Sequence, residues 1–304
     1  MQKNETFKGK LFLFISLLIF FIFISSATYA GEIREIWNHI TISNTEFKQL
    51  DLKTRNIWKE FEKSSIQRGM VVKLNYQPFT PAVNRVIILD TPAEELAFRN
   101  YRLRVETEVI DGKDVRITEI TLSKISDTKF PGATIEQQIG YADGKLRNSM
   151  TYWVAQSKVI PEKLSALDQL NLENFKRAIE LDYSGPSEYR RVPLKDVFHF
   201  FPEISKDLKL SFENVYPQNE KPMFKTTYEP GRVRFGSLLD SDVKVSYIHN
   251  IVTGKMVHAE ISWKTTYSKF TTAEEAALCD SFFYFMQESL AKQDLIAPAI
   301  APLF

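Results

Sequence analysis

The sequence predicts an α+β fold: an antiparallel, closed or strongly curved β-barrel of about eight strands, forming a tunnel, with flanking helices. Three observations lead there. Strand-like runs rich in β-branched and aromatic residues recur through the chain between turn signals. Several of these runs alternate charged and apolar residues, so each has one polar and one apolar face. Long helical periodicity is confined to the two ends of the body.

In residues 45–68, Phe47, Leu50, Ile57, Trp58 and Phe61 recur at helical spacing among Lys and Glu, with Ser43, Asn44 and Thr45 available as caps. Strands are expected over 70–76, 86–89, 101–110 and 115–125, the last two joined by an Asp111-Gly112 hairpin turn. Residues 133–141 and 150–156 read as strands, 162–170 as a short helix, and 175–183 as either state. Prolines 186, 193, 202, 217 and 222 punctuate the next stretch, around a short helix at 194–201. Residues 223–228, 232–235, 243–248 and 256–265 read as strands. A terminal helix follows at 272–293, with Phe282, Phe283, Tyr284, Phe285 and Met286 read as its buried stripe.

The chain has 304 residues, 39 Lys+Arg against 38 Asp+Glu, and 44% hydrophobic residues. That composition buries a core and excludes a collagen, a disordered tail and a small disulfide scaffold. A formal net charge of +1 gives no basic footprint for nucleic acid, so any anion site must be made locally. Lys3, Lys8 and Lys10 precede an apolar run over 11–24 that ends in Ser25-Ser26-Ala27-Thr28-Tyr29-Ala30. This is the pattern of a signal peptide cleaved after Ala30 or Ala27, with an uncleaved anchor over 11–30 as the alternative. Export to the periplasm or the medium is expected, with no membrane span after cleavage. The one cysteine, Cys279, excludes an internal disulfide and lies in an apolar helical setting that predicts an inert thiol. The expected organisation is a signal peptide (1–30), an N-terminal segment with one amphipathic helix (31–68), a barrel domain (69–293) with an irregular insertion at about 126–222, and a C-terminal tail (294–304).

Alternation is the most informative signal. Arg102, Arg104, Glu106 and Glu108 share one parity and Tyr101, Leu103, Val105 and Val109 the other. His258, Glu260, Ser262 and Lys264 stand likewise against Val257, Ala259, Ile261 and Trp263, and Arg232 and Arg234 against Val233 and Phe235. Two arrangements satisfy this pattern. Either an open sheet turns its charged face to water, or the sheet closes with its apolar side under the helices. In the second case Arg and Lys line a tunnel and bind a polyanion, and Glu holds a divalent cation.

Leu89-Asp90-Thr91-Pro92, Glu95-Leu96, Tyr101-Arg102-Leu103-Arg104-Val105-Glu106 and Ile120-Thr121-Leu122-Ser123-Lys124 together resemble the second to fourth strands of the CYTH-type triphosphate tunnel superfamily. The later Arg232-Val233-Arg234-Phe235, residues 243–248 and His258-Ala259-Glu260-Ile261-Ser262-Trp263-Lys264 resemble its closing half. The resemblance implies an antiparallel tunnel that binds triphosphate or polyphosphate groups, with Mg²⁺ or Mn²⁺. It implies Arg102, Arg104, Lys124, Arg232, Arg234 and Lys264 on phosphates, and Glu106 and Glu260 near metal.

The departures bear on activity. The family's opening Glu-x-Glu-x-Lys strand is reduced to Met70-Val71-Val72-Lys73, or to a broken version at Glu32-Ile33-Arg34-Glu35-Ile36. Ser262 holds the second acidic position of the closing strand, and His249 stands where an Asp is expected. Phosphoryl transfer without a well-held metal loses its main charge compensation. His39, His199, His249 and His258 are scattered, with no zinc-ligand spacing, and Gly-rich phosphate loops and serine-hydrolase elbows are absent. The expected function is an exported tunnel protein that binds a phosphate-rich anion with weak or no catalysis. A metal-dependent triphosphatase or polyphosphatase is the first alternative, and a structural envelope protein the second.

Overall fold

In the computed structural model the described residues are 34–43, 47–126, 134–179 except 140, 143–144 and 147–149, 190–202, 209–218, 223–250 except 238, and 253–296 except 269. The expected signal peptide therefore lies outside the described residues.

The chain runs β1 (Arg34–Thr41), α1 (Leu50–Gln67), β2 (Val71–Leu74), β3 (Ala82–Asp90), α2 (Glu95–Phe98), β4 (Tyr101–Ile110), β5 (Lys113–Ser126) and β6 (Thr134–Ile139). A small ribbon, β7 (Tyr141–Ala142) and β8 (Lys145–Leu146), leads to β9 (Met150–Val159), α3 (Ala166–Ile179), β10 (Val192–Pro193), α4 (Leu194–Phe200) and β11 (Asn214–Pro217). The last part is β12 (Met223–Phe235), β13 (Leu239–Asn250), β14 (Met256–Tyr267) and α5 (Ala273–Ala291).

Among the described residues twelve strands form one sheet in the order β10-β11-β3-β4-β5-β9-β6-β1-β14-β13-β12-β2. Among the described strands only β1 and β6 pair in parallel. The order has two ends, β10 and β2, so the structure gives a large α+β sheet with helices, not the uninterrupted barrel of about eight strands. One additional pairing joins its halves: residues 82–86 of β3 pair with 223–227 of β12, while 84–89 pair with β4.

Local chemistry explains the elements. Asp111 and Gly112 have φ of 51° and 76°, both left-handed as a type I′ hairpin requires. Thr272 and Glu275 cap α5 reciprocally, each side chain accepting the other's backbone N–H. The two runs expected at 223–228 and 232–235 are one strand with a bulge between Tyr228 and Gly231. The bulge shifts the alternation by one residue, so Tyr228, Val233 and Phe235 all enter the same core. The strands expected at 133–141 and 150–156 are present as β6 and β9. β1 sits inside the sheet between β6 and β14, and the supposed insertion supplies β6 and β9. α3 runs on to Ile179 and so makes the ambiguous start of 175–183 helical.

Two cores hold the apolar faces. α1 and α5 cover β1 and β12–β14, with Phe61 stacked on Trp58 at 5.5 Å and edge-on to Trp263 and Phe282 at 5.7 and 5.3 Å. α3 and α4 bring Phe175, Val197 and Phe201 onto Ile87, Leu103, Val105 and Leu122. Gly231 lies under the Trp58 ring of α1. A Cβ there would stand 2.3 Å from the Lys73 carbonyl oxygen and 2.8 Å from the Trp58 ring. Gly231→Ala is expected to cost about 2–3 kcal/mol, because a paired backbone carbonyl cannot move aside. Urea unfolding checks it.

Candidate functional site

With the apolar faces under helices, the polar faces of β1, β3, β4, β5, β9, β12, β13 and β14 line one cavity of about 370 Å³. That volume is within the usual range for small-ligand sites. The open-sheet arrangement with a fully wet charged face does not describe these strands. Register explains the convergence: on β4 and β5 Arg104 stands opposite Thr121 and Glu106 opposite Glu119, and alternation sends all four to the same side.

Among the described residues four cations enter the cavity, Arg104, Lys158, Lys225 and Lys244, each beside a carboxylate. Glu106, 7% exposed, lies 3.1 Å from Lys225 Nζ and 3.2 Å from Arg104 Nε, both at Oε1. Asn84 donates to its Oε2 at 3.1 Å. Burial alone would raise the Glu106 pKa, but Lys225 and then Arg104 outweigh it and bring it from 4.5 to about 2. Glu119 accepts from Lys158 Nζ at 3.1 Å and from Thr121, and Arg104 Nη2 stands 3.5 Å away. Burial raises its pKa, and Lys158 foremost brings it below the ordinary value. Lys244 pairs with Glu229 at 2.7 Å.

At the β1–β14 side, His39 Nδ1 and His258 Nε2 both stand 3.1 Å from Glu260 Oε2. Burial opposes the Glu260 charge, yet His39 and His258 hold its pKa well below the usual carboxylate range. Strand pairing thus gathers two of the histidines that look scattered in the sequence.

Of the residues predicted for the site, Arg104, Glu106 and Glu260 line the cavity. Arg102 is one step along the same face, opposite Ser123, half-buried and outside the cavity lining. Its Nη1 is buried with no hydrogen-bond partner among the described residues, and burial followed by the Arg104 charge lowers its pKa. Lys264 continues the Glu260 face past the cavity, where it binds Glu35 at 2.6 Å and stands 5.5 Å from the Trp37 ring. Arg232 and Arg234 lie beyond the bulge at the exposed end of β12, paired with Asp242 at 3.4 Å and Asp240 at 2.7 Å. Lys124 is on the opposite face, because its register partner is Tyr101, whose ring centre is 5.1 Å from the ammonium. Ser123 and Thr121 take the polar face there. His249 is buried against the Phe224 ring at 5.9 Å, and burial lowers its pKa.

The Asp-Thr-Pro block serves the fold. Asp90 accepts backbone N–H groups from Thr91 and Leu96 at Oδ1 and from Ala97 at Oδ2, which holds α2 onto the end of β3. The sequence reading missed Glu119, Lys158, Lys225 and Lys244. For two of them a signal was present: Lys244 and Ser246 alternate with Val243 and Val245, and Lys225 and Thr227 with Phe224 and Thr226. His39 carried none, since the broken opening-strand match at Glu32-Ile33-Arg34-Glu35-Ile36 stops short of it.

The family resemblance implies a divalent metal held by the cavity carboxylates. A hard cation takes six or more oxygen ligands. Here both oxygens of Glu106 and of Glu119 are within reach of N–H or O–H donors, and Glu260 Oε2 faces two imidazoles. Among the described residues no group of three or more His, Cys, Asp or Glu is arranged to hold a metal ion. The described cavity residues do not fit a Mg²⁺ or Mn²⁺ centre.

No family model and no curated protein matches the chain. Solved structures with a similar fold include a Hippeastrum protein described as having a dominant triphosphatase activity, at 7% identity and TM-score 0.39, with 88% of this chain and 91% of that one covered. A Bacillus halodurans protein named for adenylate cyclase aligns at 12% identity and TM-score 0.37, covering 89% and 95%. A Pyrococcus horikoshii protein aligns at 9% and 0.33, covering 84% and 89%. Likeness at this level decides nothing about chemistry, which rests on the side chains above.

Proposed function

We propose that this protein is an exported, CYTH-like tunnel protein that binds a phosphate-rich anion in its cavity, with weak or no catalysis. The observation that carries the reading is the convergence of Arg104, Lys158, Lys225 and Lys244, from four different strands, on one cavity. The β3–β12 pairing supports treating the curved sheet as a tunnel wall. Charge-assisted N–H donors aimed into a partly dry space are what phosphate oxygens bind best. Weak catalysis follows from carboxylates that are already engaged by cations. Export rests on residues 1–30, whose charged start, apolar centre and small-residue end are those of a signal peptide.

Tripolyphosphate is expected to raise the melting temperature, adding about 2.7 kcal/mol at a hundredfold excess over its dissociation constant. Arg104→Ala is expected to remove most of that gain, since a charged hydrogen bond contributes about 1.5–3 kcal/mol. Phosphate release with Mg²⁺ or Mn²⁺, measured in parallel, should be absent. Metal-dependent release abolished by Glu260→Gln would replace the binder with a phosphohydrolase. Neither stabilisation nor release would leave a structural envelope protein.

A further inference from the structure

We infer that the cavity binds its anion without a divalent metal, with Lys225 acting as the cation beside Glu106 and the cavity carboxylates acting as built-in competitors for the ligand. This rests on the anion-binding reading above and says which form of the anion is bound: the free polyanion, not its magnesium complex.

The argument starts from Glu106. Its side chain faces the cavity from β4, and the position next to its Oε1 is taken by Lys225 Nζ, which reaches across from β12 to 3.1 Å. The β3–β12 pairing fixes that reach, because it puts Lys225 opposite Asn84, and Asn84 is in turn opposite Glu108 on β4. Asn84 then donates to the other oxygen, Oε2. A metal ion at Glu106 would have to displace an ammonium and turn a donor amide away, both held by strand pairing. The same arrangement recurs with Lys158 on Glu119 and Lys244 on Glu229.

A phosphate entering this space meets N–H donors whose present partners are carboxylates. Binding is therefore an exchange, in which Lys225, Arg104 and Lys158 pass from Glu oxygens to phosphate oxygens. Deleting a carboxylate charge removes the competitor, and deleting a cation removes the donor. A metal-bridged site behaves in the opposite way, since it needs the carboxylates to hold the metal that holds the phosphate.

The test is a calorimetric titration of tripolyphosphate into the whole purified protein, in EDTA and again in excess Mg²⁺, with Glu106→Gln, Glu229→Gln and Lys225→Met alongside. Binding in EDTA is expected to be at least as tight as in Mg²⁺. Glu106→Gln is expected to tighten it about threefold or more, and Lys225→Met to weaken it about tenfold. Glu229→Gln, at an exposed pair, is expected to tighten it by a smaller factor. That variant carries the test if Glu106→Gln does not fold. Binding that requires Mg²⁺, or that is lost in the folded Glu→Gln variants, overturns the metal-free site and leaves the anion-binding reading intact. No binding under either condition rejects the anion-binding reading, and the metal-free site with it.

Discussion

Trp263→Ala is expected to destabilise the protein by about 4 kcal/mol, the largest effect of any single replacement considered. Trp263 is fully buried on β14 where both long helices meet it. Its ring contacts Phe61 of α1 at 5.7 Å and Phe282 and Phe283 of α5 at 5.8 and 5.7 Å. Removing it deletes the indole and leaves a cavity walled by three rings from two helices, which can collapse only in part. Its Nε1 has no hydrogen-bond partner among the described residues, so the loss is one of packing. Because Trp263 points away from the binding cavity, the anion affinity of whatever fraction stays folded should be unchanged. Urea unfolding and a titration on the same sample separate the two effects.

Glu106→Gln is expected to cost about 3 kcal/mol near pH 7 and to flatten the acid limb of the stability curve. The Glu106 carboxyl sits at about 2 in the folded chain against an ordinary 4.5, because Lys225 and Arg104 overcome the burial that opposes its charge. A depressed carboxyl stabilises the fold above its ordinary value, and that contribution disappears as pH falls from 4.5 towards 2. The gap between the native chain and Glu106→Gln should therefore be widest at neutral pH and close near pH 2. Denaturant midpoints across that range check it. A constant gap would mean that Glu106 acts through shape and not through charge.

Much of the scaffold was legible because it depends on local rules. The Asp111-Gly112 turn, the bounds of β4 and the terminal helix follow from φ preferences and periodicities that a short window contains. β1 was legible only at its start, where Glu32-Ile33-Arg34-Glu35-Ile36 resembles a broken opening strand; the rest of Arg34–Thr41 is a strand through its pairing with β14 and a distant β6. The site was legible only in part for a related reason. Parity correctly groups Arg102, Arg104 and Glu106 on one face, but it does not say where along a strand the enclosed volume ends. Arg232, Arg234 and Lys264 have the polar face and lie past the end, each holding an acidic neighbour. Lys124 fails differently: a motif match placed it by analogy, while its own parity in β5 puts it with Leu122 on the apolar face. The His39–Glu260–His258 cluster joins residues 221 apart in sequence, and no local signal reports such a pairing.

The central claim is that the converged charged faces form an anion site. Calorimetric titration of tripolyphosphate into the native protein, Arg104→Ala and Lys124→Ala tests it most directly, because the two substitutions remove the same charge from opposite faces of adjacent strands. Saturable binding that weakens about tenfold in Arg104→Ala and is unchanged in Lys124→Ala is the expected result. No saturable binding, or an equal loss in both variants, would contradict it.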